Sequence, residues 1–132
     1  MILSTKTILD ELVEGVGEDL ALSKSQVNEA ELRKSLGDLP STLSMRDALK
    51  ISSTRVTRKS QRIKVIAEVK KASPSRGLLC PDFNPVLLAS TYSDNGASAI
   101  SVLTDPRFQG ELDHIVQIKE SGLVRTTPIL RK

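Results

Sequence analysis

Aromatic side chains are almost absent from this chain: two phenylalanines, one tyrosine and no tryptophan among 132 residues. A core must therefore be built from Ile, Leu, Val and Ala. The shortage also argues against a nucleic-acid surface, which wants rings among its cations for base stacking. The one basic run, Arg55, Arg58, Lys59, Arg62 and Lys64, has no ring within it and reads as a solvated connection. The formal charge of +3 is too mild to call for nucleic acid or a membrane as partner. Cysteine is reduced to Cys80, so no internal disulfide forms. With no His or Cys clustered near it, Cys80 supports neither a metal site nor a thiol nucleophile. This cysteine usage suits a reducing compartment. Met1 to Gly15 lacks the continuous apolar run of a signal peptide, and no stretch is long enough to span a bilayer. The expected location is the cytoplasm. Neither a G-x-S-x-G turn nor a dinucleotide fingerprint occurs.

What is present has the texture of a soluble globular protein, 39% hydrophobic and 27% charged. The length allows one ordinary domain with a real core, but a complete (β/α)8 barrel takes about 250 residues. Residues 1–64 read as a helical extension followed by a basic connection. Ile8, Leu9, Leu12, Val13 and Val16 recur at helical spacing. Thr7 with Asp10 resembles a capping box, and Gly15 and Gly17 are expected to end this helix. A second helix is expected from about Gln26 to Leu36, stopped by Gly37. A short third one starts at Ser44 and carries Met45, Ala48, Leu49 and Ile51. From Ser52 to Lys64 the chain is polar and non-periodic.

The texture changes at Val65. Val65–Val69, Ala99–Leu103 and a third run beginning at Pro128 are short, apolar and rich in β-branched residues. Continuous runs of this kind suit parallel strands covered by helices. Between the first two, Asn84 and Pro85 mark a helix start, and Gly96 a stop. Between the second and third, Glu111 to Ser121 reads as a helix with Leu112, Ile115, Val116 and Lys119 on one face, ended by Gly122. Residues 65–132 therefore read strand–helix–strand–helix–strand with right-handed crossovers. That is the unit of a βα barrel or of a doubly wound sheet, and composition does not distinguish them.

The chemistry gathers at the ends of these strands. Ile66, Glu68 and Lys70 alternate onto one side of the first strand. If that side is a barrel interior, Glu68 and Lys70 project together at the carboxyl end, where such barrels keep their catalysts. A buried carboxylate or ammonium needs a partner or a charged ligand; the bland alternative is that Lys70 and Lys71 wave in solvent. Ser73-Pro74-Ser75-Arg76-Gly77 offers hydroxyls, a cation and a flexible glycine to a phosphate or carboxylate, although the same residues make an ordinary turn. Pro128, Leu130 and Lys132 share a face of the third strand. Lys132 would then face the same interior as Lys70, unless the end is a solvated basic tail. Clustered ammonium groups suit anionic ligands and proton donation. His114, beside Asp113, reads as a lone surface histidine.

Several segments together closely resemble indole-3-glycerol-phosphate synthases. They are Val65-Ile66-Ala67-Glu68-Val69-Lys70-Lys71-Ala72-Ser73-Pro74-Ser75-Arg76-Gly77, Asp82-Phe83-Asn84-Pro85, Ala99-Ile100-Ser101-Val102-Leu103-Thr104-Asp105, Phe108-Gln109-Gly110, and Pro128-Ile129-Leu130-Arg131-Lys132. The run from Glu68 to Gly77 is the most specific of them; phosphoribosylanthranilate isomerase, another phosphate-binding barrel, has no such lysine-rich run. The resemblance implies an α/β chain holding about three strands and two crossover helices of a (β/α)8 barrel, preceded by the family's variable helical extension. It implies a lyase of tryptophan biosynthesis that closes a ring with loss of carbon dioxide and water, acting on a small phosphorylated substrate with no cofactor and no metal. It implies that Lys132 is the general acid, that Lys70 contacts the substrate and assists proton transfer, and that Glu68 orients both. Ser73 falls at a substrate-contacting serine, and Leu103 and Phe108 at apolar positions lining the pocket for the aromatic ring.

The resemblance also implies five further strands, carrying a second catalytic glutamate, an asparagine and the phosphate site. The 132 residues alone are therefore expected to be inactive or nearly so. Three parallel strands leave two unpaired edges, so self-association or pairing with a complementing second-half chain is expected. A non-catalytic half-barrel that binds a phosphorylated ligand or a partner chain is the alternative.

Overall fold

In a computed structural model, residues 7–37, 39–51 and 63–132 are described. Arg55, Arg58, Lys59 and Arg62 of the basic run, and the connection expected between 52 and 62, lie outside the described residues. The chain divides into two compact units, 1–41 and 42–132.

The first unit is helical. Helix α1 spans Ile8–Gln26 and α2 spans Glu29–Ser35. The Thr7 amide donates to the Asp10 carboxylate at 2.8 Å, one half of the capping box expected there. The expected stop at Gly15 and Gly17 does not occur, because α1 continues for two further turns. An exposed glycine in the right-handed helical region weakens a helix by about 1 kcal/mol but does not break it. The helix ends where Val27 turns extended, at φ −134°. Consequently α2 begins at Glu29 rather than near Gln26, capped by Asn28, whose side chain accepts from the Glu31 amide at 2.9 Å. The apolar stripe of α1 is half-exposed throughout, with Leu9, Val13, Val16 and Leu20 all at least 49% open.

The second unit carries the sheet. Helix α3 (Met45–Leu49), capped by Ser44, lies against the strand Ala99–Val102. Strands β1 (Ile66–Val69), β4 (Ala99–Val102) and β5 (Ile129–Arg131) form a parallel sheet in the order β1-β4-β5. Helix α4 (Pro85–Asp94) connects the first pair and α5 (Asp113–Glu120) the second. Asn84 caps α4 by accepting from the Leu87 amide at 2.9 Å, with Pro85 at the first helical position. Gly96 and Gly122 follow the two helices at φ 87° and 66°, which only glycine adopts freely. The α/β class and the β-α-β-α-β order are thus as expected.

One face of the sheet is packed beneath the helices. Val69, Ile100 and Val102 are fully buried there with Ala89 of α4 and Ile118 of α5, and Val124 joins them. Phe83, Leu88, Tyr92, Ile115 and Ile129 close the periphery. The aliphatic core expected from the shortage of aromatics is what forms. The face of α5 that does the packing differs from expectation, however. Leu112 and Val116 are 54% and 46% exposed, while His114 and Ile118 are buried. The helix begins at Asp113, not Glu111, so Leu112 sits at its cap rather than on its face. His114 is therefore not a surface residue. Its ring lies 5.0 Å from that of Phe83, tilted by 59°, and the Glu111 amide donates to its Nδ1 at 3.3 Å.

The opposite face of the sheet holds Ile66, Glu68, Ser101 and Leu130. Glu68 is in register with Ser101, and Ser101 with Leu130. Ile66 and Leu130 are 48% and 47% exposed. Among the described residues β1 and β5 are the outermost strands, each with a free edge.

Candidate active site

Past the end of β1 the chain does not make a simple turn. Ala72–Ser73 forms a short strand, β2, that pairs antiparallel with Gly77–Leu78, β3, in a small hairpin. Pro74, Ser75 and Arg76 form its tip and are exposed. Gly77, at φ 66°, supplies the left-handed residue that lets the hairpin close. The Ser73 Oγ accepts from the Arg76 amide at 3.3 Å. The hairpin was not foreseen, because strands of two residues carry no periodic signal. Its base is closed by the Lys71 carbonyl, which accepts from the Leu79 and Cys80 amides at 2.9 and 3.1 Å.

After β4, Leu103 is 5% exposed and donates its amide to the Val69 carbonyl at 3.1 Å, extending the ladder by one rung. The chain then winds through a 3-10 turn at Pro106–Phe108 that lies against β2. Asp105 organises this turn. Its carboxylate accepts from the Arg107 amide and from the Arg107 guanidinium, both at 2.8 Å. Its carbonyl accepts from the Phe108 and Gly110 amides, both at 3.0 Å. Gln109 takes the left-handed conformation at φ 52°. Gly110 then returns so close to the end of β4 that an added Cβ would stand 2.3 Å from the Leu103 carbonyl oxygen. Phe108 is half-buried at the end of the turn.

Glu68, Lys70 and Lys132 come together at the carboxyl ends of the strands. Lys70 Nζ lies 2.6 Å from Glu68 Oε1, and Lys132 Nζ lies 2.5 Å from Glu68 Oε2. Each carboxylate oxygen thus serves one ammonium. The Glu68 side chain is 25% exposed, Lys70 32% and Lys132 57%. Burial on its own would push the Glu68 carboxyl up. The hydrogen bonds from Lys132 and Lys70, with their positive charges, outweigh it and hold the group below the usual carboxylate range. An ionised carboxylate between two cations leaves one positive charge in excess, which favours an anionic ligand. The ammonium groups still have donors to give, since each has three and Glu68 takes one.

Glu68, Lys70 and Lys132 are therefore in direct contact. Ser73, Leu103 and Phe108 stand on the adjoining hairpin, strand end and turn. Sequence reasoning did not single out Thr104 or Arg131. The Thr104 hydroxyl donates to the Lys132 carbonyl at 3.1 Å and accepts from Arg131 Nε at 3.4 Å. A threonine just past a strand gives no sequence signal of such a bond. Among the described residues, no group of three or more His, Cys, Asp and Glu is placed to hold a metal ion. No helix among them is long and apolar enough to cross a membrane.

Comparison with known proteins gives the same direction. The family model for indole-3-glycerol phosphate synthase matches residues 9–132. The indole-3-glycerol phosphate synthase of Aliarcobacter butzleri is 46% identical over 126 residues, covering 95% of this chain and 45% of the relative. That of Dehalococcoides mccartyi (strain ATCC BAA-2266 / KCTC 15142 / 195) is 43% identical over 126 residues, covering 95% and 46%. That of Roseiflexus is 58% identical over 74 residues, covering 53% of this chain and 28% of the relative. The chain spans about 45% of the length of the relatives that match nearly all of it. Its three parallel strands and two crossover helices are accordingly the opening portion of a (β/α)8 barrel. With the match running through both the helical first part and the strands that carry Glu68, Lys70 and Lys132, the chain belongs to the indole-3-glycerol phosphate synthase family.

Proposed function

We propose that this chain supplies the first part of the active site of an indole-3-glycerol phosphate synthase, a carboxy-lyase of tryptophan biosynthesis. The substrate is 1-(2-carboxyphenylamino)-1-deoxyribulose 5-phosphate. A carbon–carbon bond forms between the aromatic ring and the sugar carbonyl carbon, carbon dioxide leaves, and dehydration completes the indole. The observation that supports this reading best is the pairing of both lysines with one carboxylate at the carboxyl end of the strands.

In this reading Lys132 is the general acid that protonates the carbonyl oxygen as the ring carbon attacks the carbonyl carbon. Lys70 contacts the anionic substrate and assists the later proton transfer. Glu68, held ionised, keeps both ammonium groups aimed until substrate arrives. Ser73 contacts the substrate from the hairpin, and Leu103 and Phe108 line the pocket for its aromatic ring. The segment up to residue 64 serves as a helical extension, and 65–132 as the barrel portion. The lone cysteine and the biosynthetic reaction favour a cytoplasmic protein.

The reaction needs the remainder of a barrel. The half-exposed Ile66 and Leu130 and the free edges of β1 and β5 favour a complementing second half, in the same polypeptide or as a separate chain. Turnover is measured for this chain alone, and after mixing with the carboxyl-terminal half of the Aliarcobacter butzleri relative. Activity in the mixture, lost by at least about 100-fold in Lys70→Ala and Lys132→Ala, is the expected result. If the mixture binds but either alanine variant keeps full turnover, the assigned roles are wrong. A mixture that associates without any turnover favours the non-catalytic half-barrel.

A further inference from the structure

Among the described residues, little packs on the Lys132 side chain. Its side chain is 57% exposed, and its ammonium hangs from a flexible four-carbon stem. Two things fix it: the ion pair to Glu68, and whatever holds its backbone. The backbone at Lys132 follows directly on β5 and is bonded to the segment leaving β4.

The anchor there is Thr104. The Lys132 amide donates to the Val102 carbonyl at 2.9 Å, and the Thr104 amide donates to the Lys132 carbonyl at 2.8 Å. Any residue at 104 other than proline could make this second bond. The Thr104 hydroxyl adds a third, donating to the same Lys132 carbonyl at 3.1 Å. Thr104 is 8% exposed, so its hydroxyl is withdrawn from most solvent competition. Arg131 Nε donates to the Thr104 hydroxyl oxygen at 3.4 Å, which leaves the hydroxyl proton directed toward Lys132.

We propose that Thr104 is a positioning residue whose hydroxyl sets the backbone from which Lys132 reaches the substrate carbonyl, an inference that rests on the reading of Lys132 as general acid. In this reading Thr104 acts through Lys132, to whose carbonyl its hydroxyl is bonded, and not on the substrate itself. Its effect is to hold a long, exposed proton donor to within a fraction of an ångström, and a misplacement of about 1 Å can cost about 100-fold in rate. Because ground-state binding also draws on Lys70 and Ser73, the loss should fall on kcat more than on KM.

The test is turnover of 1-(2-carboxyphenylamino)-1-deoxyribulose 5-phosphate by the complete barrel carrying Thr104→Val, Thr104→Ser or Thr104→Ala. Valine removes the hydroxyl and keeps the shape; serine keeps the hydroxyl and drops the methyl. The expected result is kcat about tenfold lower in Thr104→Val, with KM within about twofold, and kcat close to the parent in Thr104→Ser. Equal kcat in Thr104→Val and the parent overturns the inference, as does a loss in Thr104→Ser as large as in Thr104→Val. If Thr104→Val does not fold, Thr104→Ser against Thr104→Ala isolates the hydroxyl, and equal kcat in those two overturns it likewise. Lys132→Ala is run beside them. Full turnover there brings down the general-acid role and this inference together; abolished turnover with an unaffected Thr104→Val brings down this inference alone.

Discussion

Replacing Gly110 by alanine and Gly17 by alanine adds the same methyl group at two places, with opposite consequences for stability. At Gly110 the new Cβ would stand 2.3 Å from the Leu103 oxygen, 2.7 Å from the Leu103 carbonyl carbon and 3.0 Å from the Thr104 carbonyl carbon. Favourable contact between carbons begins near 3.5 Å, so all three approaches are too close. Every obstacle is backbone, and it belongs to residues bonded into the sheet through Val69 and Lys132. No rotamer change relieves the clash, and the 105–110 turn must lift away from the strand end. Overpacking of this kind costs about 1–3 kcal/mol, and the rigidity of the obstacle puts Gly110→Ala at the upper end. At Gly17 a Cβ meets nothing within 4 Å. Alanine there relieves the entropic penalty of a glycine in mid-helix and stabilises α1 by about 0.5–1 kcal/mol. Urea denaturation followed by far-ultraviolet circular dichroism reads the first effect as a lower midpoint with unchanged slope. Amide exchange within α1 reads the second as slower opening. A Gly110→Ala protein within about 0.5 kcal/mol of the parent would refute the reasoning, since that is the range of an unconstrained surface substitution.

Other outcomes follow from the same geometry. Glu68→Gln removes the carboxylate between two cations and should destabilise the fold at neutral pH by about 1–3 kcal/mol, nearer the lower figure because Lys132 is more than half exposed. The pH dependence has a definite sign. The folded Glu68 carboxyl titrates below its ordinary range, so its contribution is complete above that range and disappears as pH falls through the folded value. Urea midpoints of parent and Glu68→Gln should therefore converge on acidification, and a gap independent of pH would contradict the ion-pair account. Asn84→Ala deletes the cap of α4 and should cost about 1 kcal/mol, read as a lower melting temperature. An unchanged melting temperature would mean that the Asn84–Leu87 bond contributes nothing.

Local signals in the sequence were read correctly where one side chain settles the matter. Ser44 and Asn84 each cap the helix predicted to follow them, because a side-chain oxygen meets an amide three residues on. The three strand runs and the shared face of Glu68, Lys70 and Lys132 follow from the two-residue repeat of a strand. What failed did so because the deciding partner is distant in sequence or the signal is ambiguous. Gly15 and Gly17 look like helix stops, yet nothing local distinguishes a glycine that terminates a helix from one that continues it. Helix α5 is apolar on two sides, and periodicity selected Leu112 and Val116 over His114 and Ile118. Phe83, some thirty residues earlier and tilted against the His114 ring, belongs to the packing that settles the choice. The 105–110 turn and the Thr104 bond to Lys132 depend on strands that meet only in the folded state.

The pair formed by Glu68 and Lys132 joins strands that are not neighbours. Strand β4 runs between them, and at the level of Glu68 it presents Ser101. Two strand spacings amount to roughly 10 Å, so two extended side chains must stretch across the middle strand for the charges to touch. The middle strand keeps a small residue, Ser101, at the level of the carboxylate. The ion pair therefore works as a tie across three strands: it couples the outer two without any hydrogen bond between their backbones.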